Sequence, residues 1–247
     1  MNPRGRRADV VLVERGLFES RNKARAAIEA GGVSVNGIRV GKPADPVDPD
    51  GVIEAKAAFP WVSRAGLKLE RGLDLFETDA FGKTCLDIGA STGGFTQVLL
   101  SRGAARVYAV DVGHGQLHAS LREDGRVVAM EGVDARALST DLIDRPPELV
   151  VCDASFISLK RVLPNALSMA APGATLIALI KPQFEAGRAN IGKGGIVRDE
   201  RIHRDVRADI ADFIKANGWI TFGEAPSPIA GGDGNKEFLI AAKKASI

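Results

Sequence analysis

Only two cysteines, Cys85 and Cys152, occur in 247 residues, too few for a disulfide framework. Both fall inside short apolar runs, where a thiol packs as a small hydrophobe. Aromatic residues make up only 5%, with one tyrosine and two tryptophans, and residues 1–42 hold a single aromatic, Phe18. That segment therefore offers no stacking platform for bases. Long apolar runs are also missing. The longest apolar region, Leu163 to Ile180, is broken by Pro164, Asn165, Pro172 and Gly173, so neither a spanning helix nor membrane insertion is expected. The opening residues are polar and basic with no apolar stretch behind them, which predicts no secretory leader and a cytoplasmic protein. A net charge of +2 leaves no overall pull on polyanions.

What charge there is gathers at one end. Residues 1–42 carry nine basic side chains against four acidic ones, a local +5 that leaves −3 on the rest. A basic head on a mildly acidic body predicts a polyanion-binding module joined to something else. Asp9 to Arg15 has an apolar face (Val10, Val11, Val13). Ser20 suits the N-cap of a helix from Arg21 to Ala30 that Gly31-Gly32 ends. Val33 to Val40 alternates on both sides of Asn36-Gly37, a hairpin signal. Leu17-Phe18-Glu19-Ser20-Arg21-Asn22-Lys23-Ala24 and Gly32-Val33-Ser34-Val35-Asn36-Gly37 resemble the RNA-binding domain of the ribosomal-protein S4 type, which grips structured RNA through phosphates and shape. Arg6, Arg7, Arg21, Lys23, Arg25 and Lys42 are the candidate contacts. The prolines and aspartates of residues 43–60 predict a turn, a short strand near Val52-Ile53-Glu54 and a linker, with a boundary at Phe59-Pro60-Trp61.

Beyond that boundary, Arg64 to Phe76 reads as a helix with Leu69, Leu73 and Phe76 on one stripe. Lys68 lies off the stripe, as a solvated lysine would. The stretch from Lys83 to Thr96 then reads as a buried strand, a glycine-rich turn (Gly89, Gly93, Gly94) and a helix whose opening amides face a ligand. A second strand, Arg106 to Asp111, ends in a carboxylate placed to accept from a ribose diol. Further strands at Val127–Met130, Leu149–Cys152 and Ala174–Ile180, a helix Glu200–Asn217, and a terminal pair Trp219–Phe222 and Glu237–Ala242 complete the pattern. We expect an α/β fold: a Rossmann-like seven-stranded sheet with its last strand antiparallel over residues 61–247, behind a small α+β module in residues 1–60.

The turn alone leaves a dinucleotide site open. Asp87 before the first glycine, the absent third glycine and the terminal strand pair favour S-adenosylmethionine, held by Asp87, Gly89, Ser91, Thr92, Gly93 and Gly94. Asp111 would take the ribose, Asp134 the adenine amino group, and Asp153 would sit beside the methyl donor. Lys181 directly follows a buried strand, with Asp153 ending the adjacent one. Burial disfavours its ammonium while the neighbouring carboxylate favours it.

Trp61-Val62-Ser63-Arg64, Asp87 to Thr96, Asp111-Val112-Gly113, Asp153-Ala154-Ser155-Phe156-Ile157-Ser158-Leu159, Lys181-Pro182-Gln183-Phe184-Glu185 and Gly194-Gly195-Ile196-Val197 carry a further likeness. The chain resembles the TlyA-type (haemolysin A) ribosomal RNA 2′-O-methyltransferases, whose catalytic domain is related to the FtsJ methyltransferases. The resemblance implies a catalytic tetrad of Lys68, Asp153, Lys181 and Glu237. Lys181 activates the 2′-hydroxyl, Asp153 and Glu237 set its charge and orientation, and Lys68 steadies the nucleotide. It implies ribosomal RNA or a ribosomal subunit as partner. The short basic head and the end at Ile247 favour the type that acts on a large-subunit cytidine. Arg64, Arg188 and Lys193 would add RNA contacts, the last two on a glycine-rich lid from Pro182 to Gly195. His114 and His118 lack a third ligand, so no metal is expected. The alternatives are a base N-methyltransferase, with Asp153 to Phe156 in place of the usual Asn/Asp-Pro-Pro-aromatic motif, and a non-catalytic RNA-binding or ribosome-assembly factor. The haemolysin label suggests lysis, which no segment supports.

Overall fold

A computed structural model describes residues 5–232 and 234–245, and the chain divides into two compact units, residues 1–60 and 61–247. In the first, helices α1 (Ala8–Glu14) and α2 (Arg21–Glu29) share a small core with the sheet formed by β1 (Val33–Val35), β2 (Ile38–Arg39) and β3 (Ile53–Ala55). The Ser20 hydroxyl accepts from the Lys23 amide at 3.3 Å and starts α2. Asn36 and Gly37 both take positive φ, 51° and 75°, the geometry that a tight hairpin between twisted strands requires. The buried face of α1 is Ala8, Asp9, Val11 and Leu12, not Val10, Val11 and Val13. Helical spacing puts positions 8, 11 and 12 on one stripe, so Val10 and Val13 are left half-buried.

The second unit begins with α3 (Gly66–Leu75), then alternates β4 (Thr84–Ile88), α4 (Gly94–Ser101), β5 (Arg106–Asp111), β6 (Val127–Glu131), β7 (Leu149–Cys152) and β8 (Thr175–Ile180). It ends with α5 (Glu200–Ala216), β9 (Trp219–Pro226) and β10 (Phe238–Lys244). The strands form one seven-stranded sheet in the order β9-β10-β8-β7-β4-β5-β6. The pairs among β8, β7, β4, β5 and β6 are parallel. β10 is antiparallel both to β8, from Thr175↔Lys243 to Ile180↔Phe238, and to β9. β9 extends past the sequence expectation to Pro226, because a bulge between Thr221 and Gly223 restores its register on β10.

Both faces of this sheet are covered. Leu86, Ile88, Val150 and Cys152 pack against Leu163, Leu167, Ile210 and Ile214 on one side. Cys85, Val107 and Val151 pack against Leu69, Leu73, Val98 and Leu99 on the other. Burying one such leucine or isoleucine contributes roughly 1.5–3 kcal/mol. Two such layers hold the strands rigid, so the loops leaving their carboxyl ends project from a fixed frame.

Candidate active site

The loops after β4, β5, β7 and β8 gather at the carboxyl edge of the sheet. Two cavities open there, of about 370 and 580 Å³. They share walls made by Gly89, Ser91, Asp153, Ser155 and Phe156.

The smaller cavity is charged. Glu237 Oε2 lies 2.6 Å from Lys68 Nζ, which is 3.3 Å from Asp153 Oδ2, and Asp153 Oδ1 is 2.7 Å from Lys181 Nζ. Lys181 Nζ also donates to the Asp153 carbonyl at 3.1 Å and to Ser155 Oγ at 2.8 Å. The four side chains are only 3–11% exposed. Acidic and basic groups alternate along this chain, and that pairing offsets the cost of taking them out of water. All four tetrad candidates therefore meet here, in an arrangement that differs from the expected one. Lys68 is buried and not solvated, because Glu237 and Asp153 flank it. Glu237 pairs with Lys68, so its link to Lys181 runs through Lys68 and Asp153.

The glycine turn forms part of both cavities. Gly89 has φ +81°, and a Cβ there would stand 3.0 Å from the backbone of Ala154. Gly93, at φ +96°, precedes α4, and a Cβ would meet the Leu121 side chain at 2.2 Å. Ser91 (φ 48°) donates its amide to Asp111 Oδ2 at 2.9 Å, and the Gly113 amide reaches Asp111 Oδ1 at 2.7 Å. Asp111 is thus fixed in the wall of the larger cavity with lone pairs to spare. Asp134 lines the same cavity while its carboxylate binds the Arg136 side chain and amide, and the Arg136 contact holds it down at about 2. Thr92 and Gly94 line the smaller cavity.

Asp87 lines neither cavity. It is fully buried beneath the turn and accepts from Thr96 Oγ1 at 2.6 Å. Burial, opposed by that hydrogen bond and reinforced by Asp153, pushes its carboxyl up to about 7. Strand alternation puts Asp87 on the face of Cys85, under α4, so it ties the strand to the helix. Both thiols are buried, and burial pushes each up to about 12.

Among the basic candidates, Arg64 lines the smaller cavity. Arg188 and Lys193 sit in the 3₁₀ turns Arg188–Asn190 and Lys193–Gly195 and are exposed. In the first unit Arg25 and Lys42 are exposed. The other four are ion-paired: Arg6 with Glu14, Lys23 with Glu19, and both Arg7 and Arg21 with the buried Asp9. The sequence placed Ser155 and Phe156 in a strand-end motif and Gln183 and Phe184 in the lid segment, but singled out none of the four as a site residue; all four line the smaller cavity. Phe156 is 90% exposed at φ 64° and its ring lies 5.1 Å from that of Phe184. A bulky residue after a strand-end aspartate was the available signal. Among the described residues, no helix is long and apolar enough to cross a membrane.

Residues 61–244 match the FtsJ-like methyltransferase family and residues 6–53 match the S4 domain. The chain is 48% identical over 242 residues to YqxC of Bacillus subtilis strain 168, covering 97% of this chain and 86% of that one. It is 43% identical over 236 residues to the 16S/23S rRNA (cytidine-2′-O)-methyltransferase TlyA of Mycobacterium tuberculosis H37Rv, covering 95% and 88%. A solved structure from Streptococcus thermophilus, whose title carries the hemolysin label, matches with a TM-score of 0.77 at 42% identity, covering 98% and 89%.

Proposed function

The chain belongs to the FtsJ-like methyltransferase family, and from that premise we propose that it methylates the ribose 2′-hydroxyl of a cytidine in ribosomal RNA, using S-adenosylmethionine. The observation that carries the reading is the Glu237–Lys68–Asp153–Lys181 chain of alternating charges, set against a wall shared with the larger cavity that Gly89 and Asp111 line.

The larger cavity fits the cofactor. At Gly89 a side chain would fill the approach, and Asp111 keeps acceptor capacity for a ribose diol. Val112, Val133 and Ile157 supply apolar wall for a flat purine. Asp134 stands in the same wall as the acceptor for an adenine amino group. When bound, S-adenosylmethionine supplies an electrophilic methyl carbon on a sulfonium.

The residues of this chain do the rest. Lys181 orients the 2′-hydroxyl and, once its ammonium has given a proton to solvent, takes the hydroxyl proton at the neutral Nζ. Asp153, with one oxygen on each lysine, holds that amine in place. Lys68, between Asp153 and Glu237, keeps two buried acids from repelling and steadies the nucleotide. Holding acceptor and donor in register removes much of the entropic part of the barrier. The S4-type unit contributes Arg6, Arg7, Arg21, Lys23, Arg25 and Lys42 to phosphate contacts, with Arg64, Arg188 and Lys193 on the catalytic unit. The work would be done in the cytoplasm, on a ribosomal subunit or its RNA.

Lys181→Ala tests the reading. Methyl transfer to ribosomal RNA should fall by about 10²–10⁴ while RNA affinity stays within a few-fold. A variant that transfers at the wild-type rate rejects Lys181 as the proton acceptor. Mapping ribose methylation in both subunit RNAs, from cells with and without the protein, identifies the nucleotide and the subunit. No difference between the maps would leave only a binding role.

A further inference from the structure

Five residues wall off the two cavities from each other at the carboxyl edge. With the cofactor in the larger cavity and the target nucleotide beside Lys181 in the smaller one, the methyl group is transferred across that wall. A side chain set in it therefore meets the reacting hydroxyl. Two of the five residues carry hydroxyls of their own. Ser91 Oγ donates to Gln116 Oε1 at 3.1 Å. Ser155 is exposed, accepts from Lys181 Nζ at 2.8 Å and, among the described residues, makes no other hydrogen bond. Its proton is free to be given, and its second lone pair to receive one.

The surroundings of Lys181 say where that proton goes. Three oxygens stand within 3.1 Å of Nζ: the Asp153 carboxylate at 2.7 Å, the Asp153 carbonyl at 3.1 Å and Ser155 Oγ at 2.8 Å. They match the three N–H bonds of an ammonium. The neutral amine keeps two, which face the carboxylate and the carbonyl because neither has a proton to offer. Its lone pair is left to Ser155, which of the three can turn from acceptor to donor. We propose that Ser155 is a catalytic residue that relays the proton of the target 2′-hydroxyl to Lys181. This deepens the ribose-methylation reading above and rests on it. As the bond from the 2′-oxygen to the methyl carbon forms, the carbon–sulfur bond breaks and leaves its electron pair on sulfur. The 2′-hydroxyl proton moves to Ser155 Oγ, and the serine proton moves to Lys181 Nζ. Serine ends unchanged, the amine ends as an ammonium beside Asp153, and the positive charge lost at sulfur reappears on lysine.

The experiment uses the full chain and ribosomal RNA. Ser155→Thr and Ser155→Val have the same shape and differ in one hydroxyl. Under single turnover Ser155→Thr should stay within a few-fold of wild type while Ser155→Val falls by about 10², with affinities for S-adenosylmethionine and RNA little changed. Ser155→Ala makes the same deletion without added bulk and should fall equally, which decides the matter if Ser155→Val does not fold. Binding without cofactor reports the contact itself. RNA with a 2′-deoxynucleotide at the mapped position should bind wild type roughly 2–10-fold more weakly than unmodified RNA, and Ser155→Val should bind the two alike. Two protons moving together should also bend the dependence of the wild-type transfer rate on the deuterium content of the solvent, whereas one proton gives a straight line. Wild-type transfer by Ser155→Val or Ser155→Ala, a Ser155→Thr as slow as Ser155→Val, equal wild-type binding of the two RNAs, or a straight or flat deuterium plot would each overturn the relay. If wild-type protein methylates no ribose at all, the function itself is wrong; if Lys181→Ala abolishes transfer and Ser155→Val does not, only the role of Ser155 falls.

Discussion

Replacing Asp87 by asparagine separates charge from packing beneath the glycine turn. The carboxyl is completely buried, one oxygen accepts from Thr96 and the other has no partner among the described residues. Burial chiefly, with Asp153 and Asp111 adding repulsion, lifts it from an ordinary value of 3.8 to about 7. In the unfolded chain it titrates near 4. Between those two values the folded protein holds a proton that the unfolded chain has released, so the free energy of unfolding must fall as pH rises from about 4 to about 7. Each pKa unit corresponds to 1.36 kcal/mol, so the full loss above pH 7 is about 4 kcal/mol. Below pH 4 the group is protonated in both states and the loss vanishes. Asparagine cannot ionise. The stability of Asp87→Asn relative to wild type should therefore improve by up to about 4 kcal/mol between pH 4 and pH 8, on top of a pH-independent offset from its altered hydrogen bonding to Thr96. Urea unfolding followed by tryptophan fluorescence suits the measurement, because both tryptophans, Trp61 and Trp219, belong to residues 61–247. A difference that is flat with pH, or that shrinks as pH rises, refutes the reasoning.

Three further outcomes are expected. Lys68→Met leaves Asp153 and Glu237 facing each other with one lysine remaining and should cost about 3–5 kcal/mol. Adding Glu237→Gln restores a neutral Asp153–Lys181 pair, so the double variant should be more stable than Lys68→Met alone. Strict additivity in the same urea assay would contradict the alternating-charge account. Gly93→Ala forces a side chain into φ +96° and onto Leu121; it should lose at least about 1 kcal/mol, and a wild-type midpoint would show the turn to be slack. Cys85 and Cys152, with thiols pushed up to about 12 by burial, should resist a thiol reagent at pH 8 in native protein and react fully in denaturant; rapid native labelling would contradict their burial.

The sheet was readable in the sequence because buried strands and amphipathic helices repeat with different periods, and strands such as Leu149–Cys152 fall where periodicity puts them. The terminal strand pair was readable for the same reason. Lys68 was not. Its partners are 85 and 169 residues away, and nothing in the local pattern of α3 separates a buried lysine from a solvated one. Asp87 preceded a glycine and so read as a ligand group, yet strand alternation turns it under α4. The charge cluster in the first unit was legible, but not that Asp9 would draw in Arg7 and Arg21, since that depends on how two helices pack.

The strand nearest the chain's end, β10, lies inside the sheet, between β8 and β9. Residues 238–244 are synthesised after both strands they join, so until they emerge the nascent sheet carries the edge of β8 unzipped. Glu237 arrives with the same segment. A chain lacking residues 237–244 would therefore carry a stranded Lys68 and an adhesive flank of β8 together.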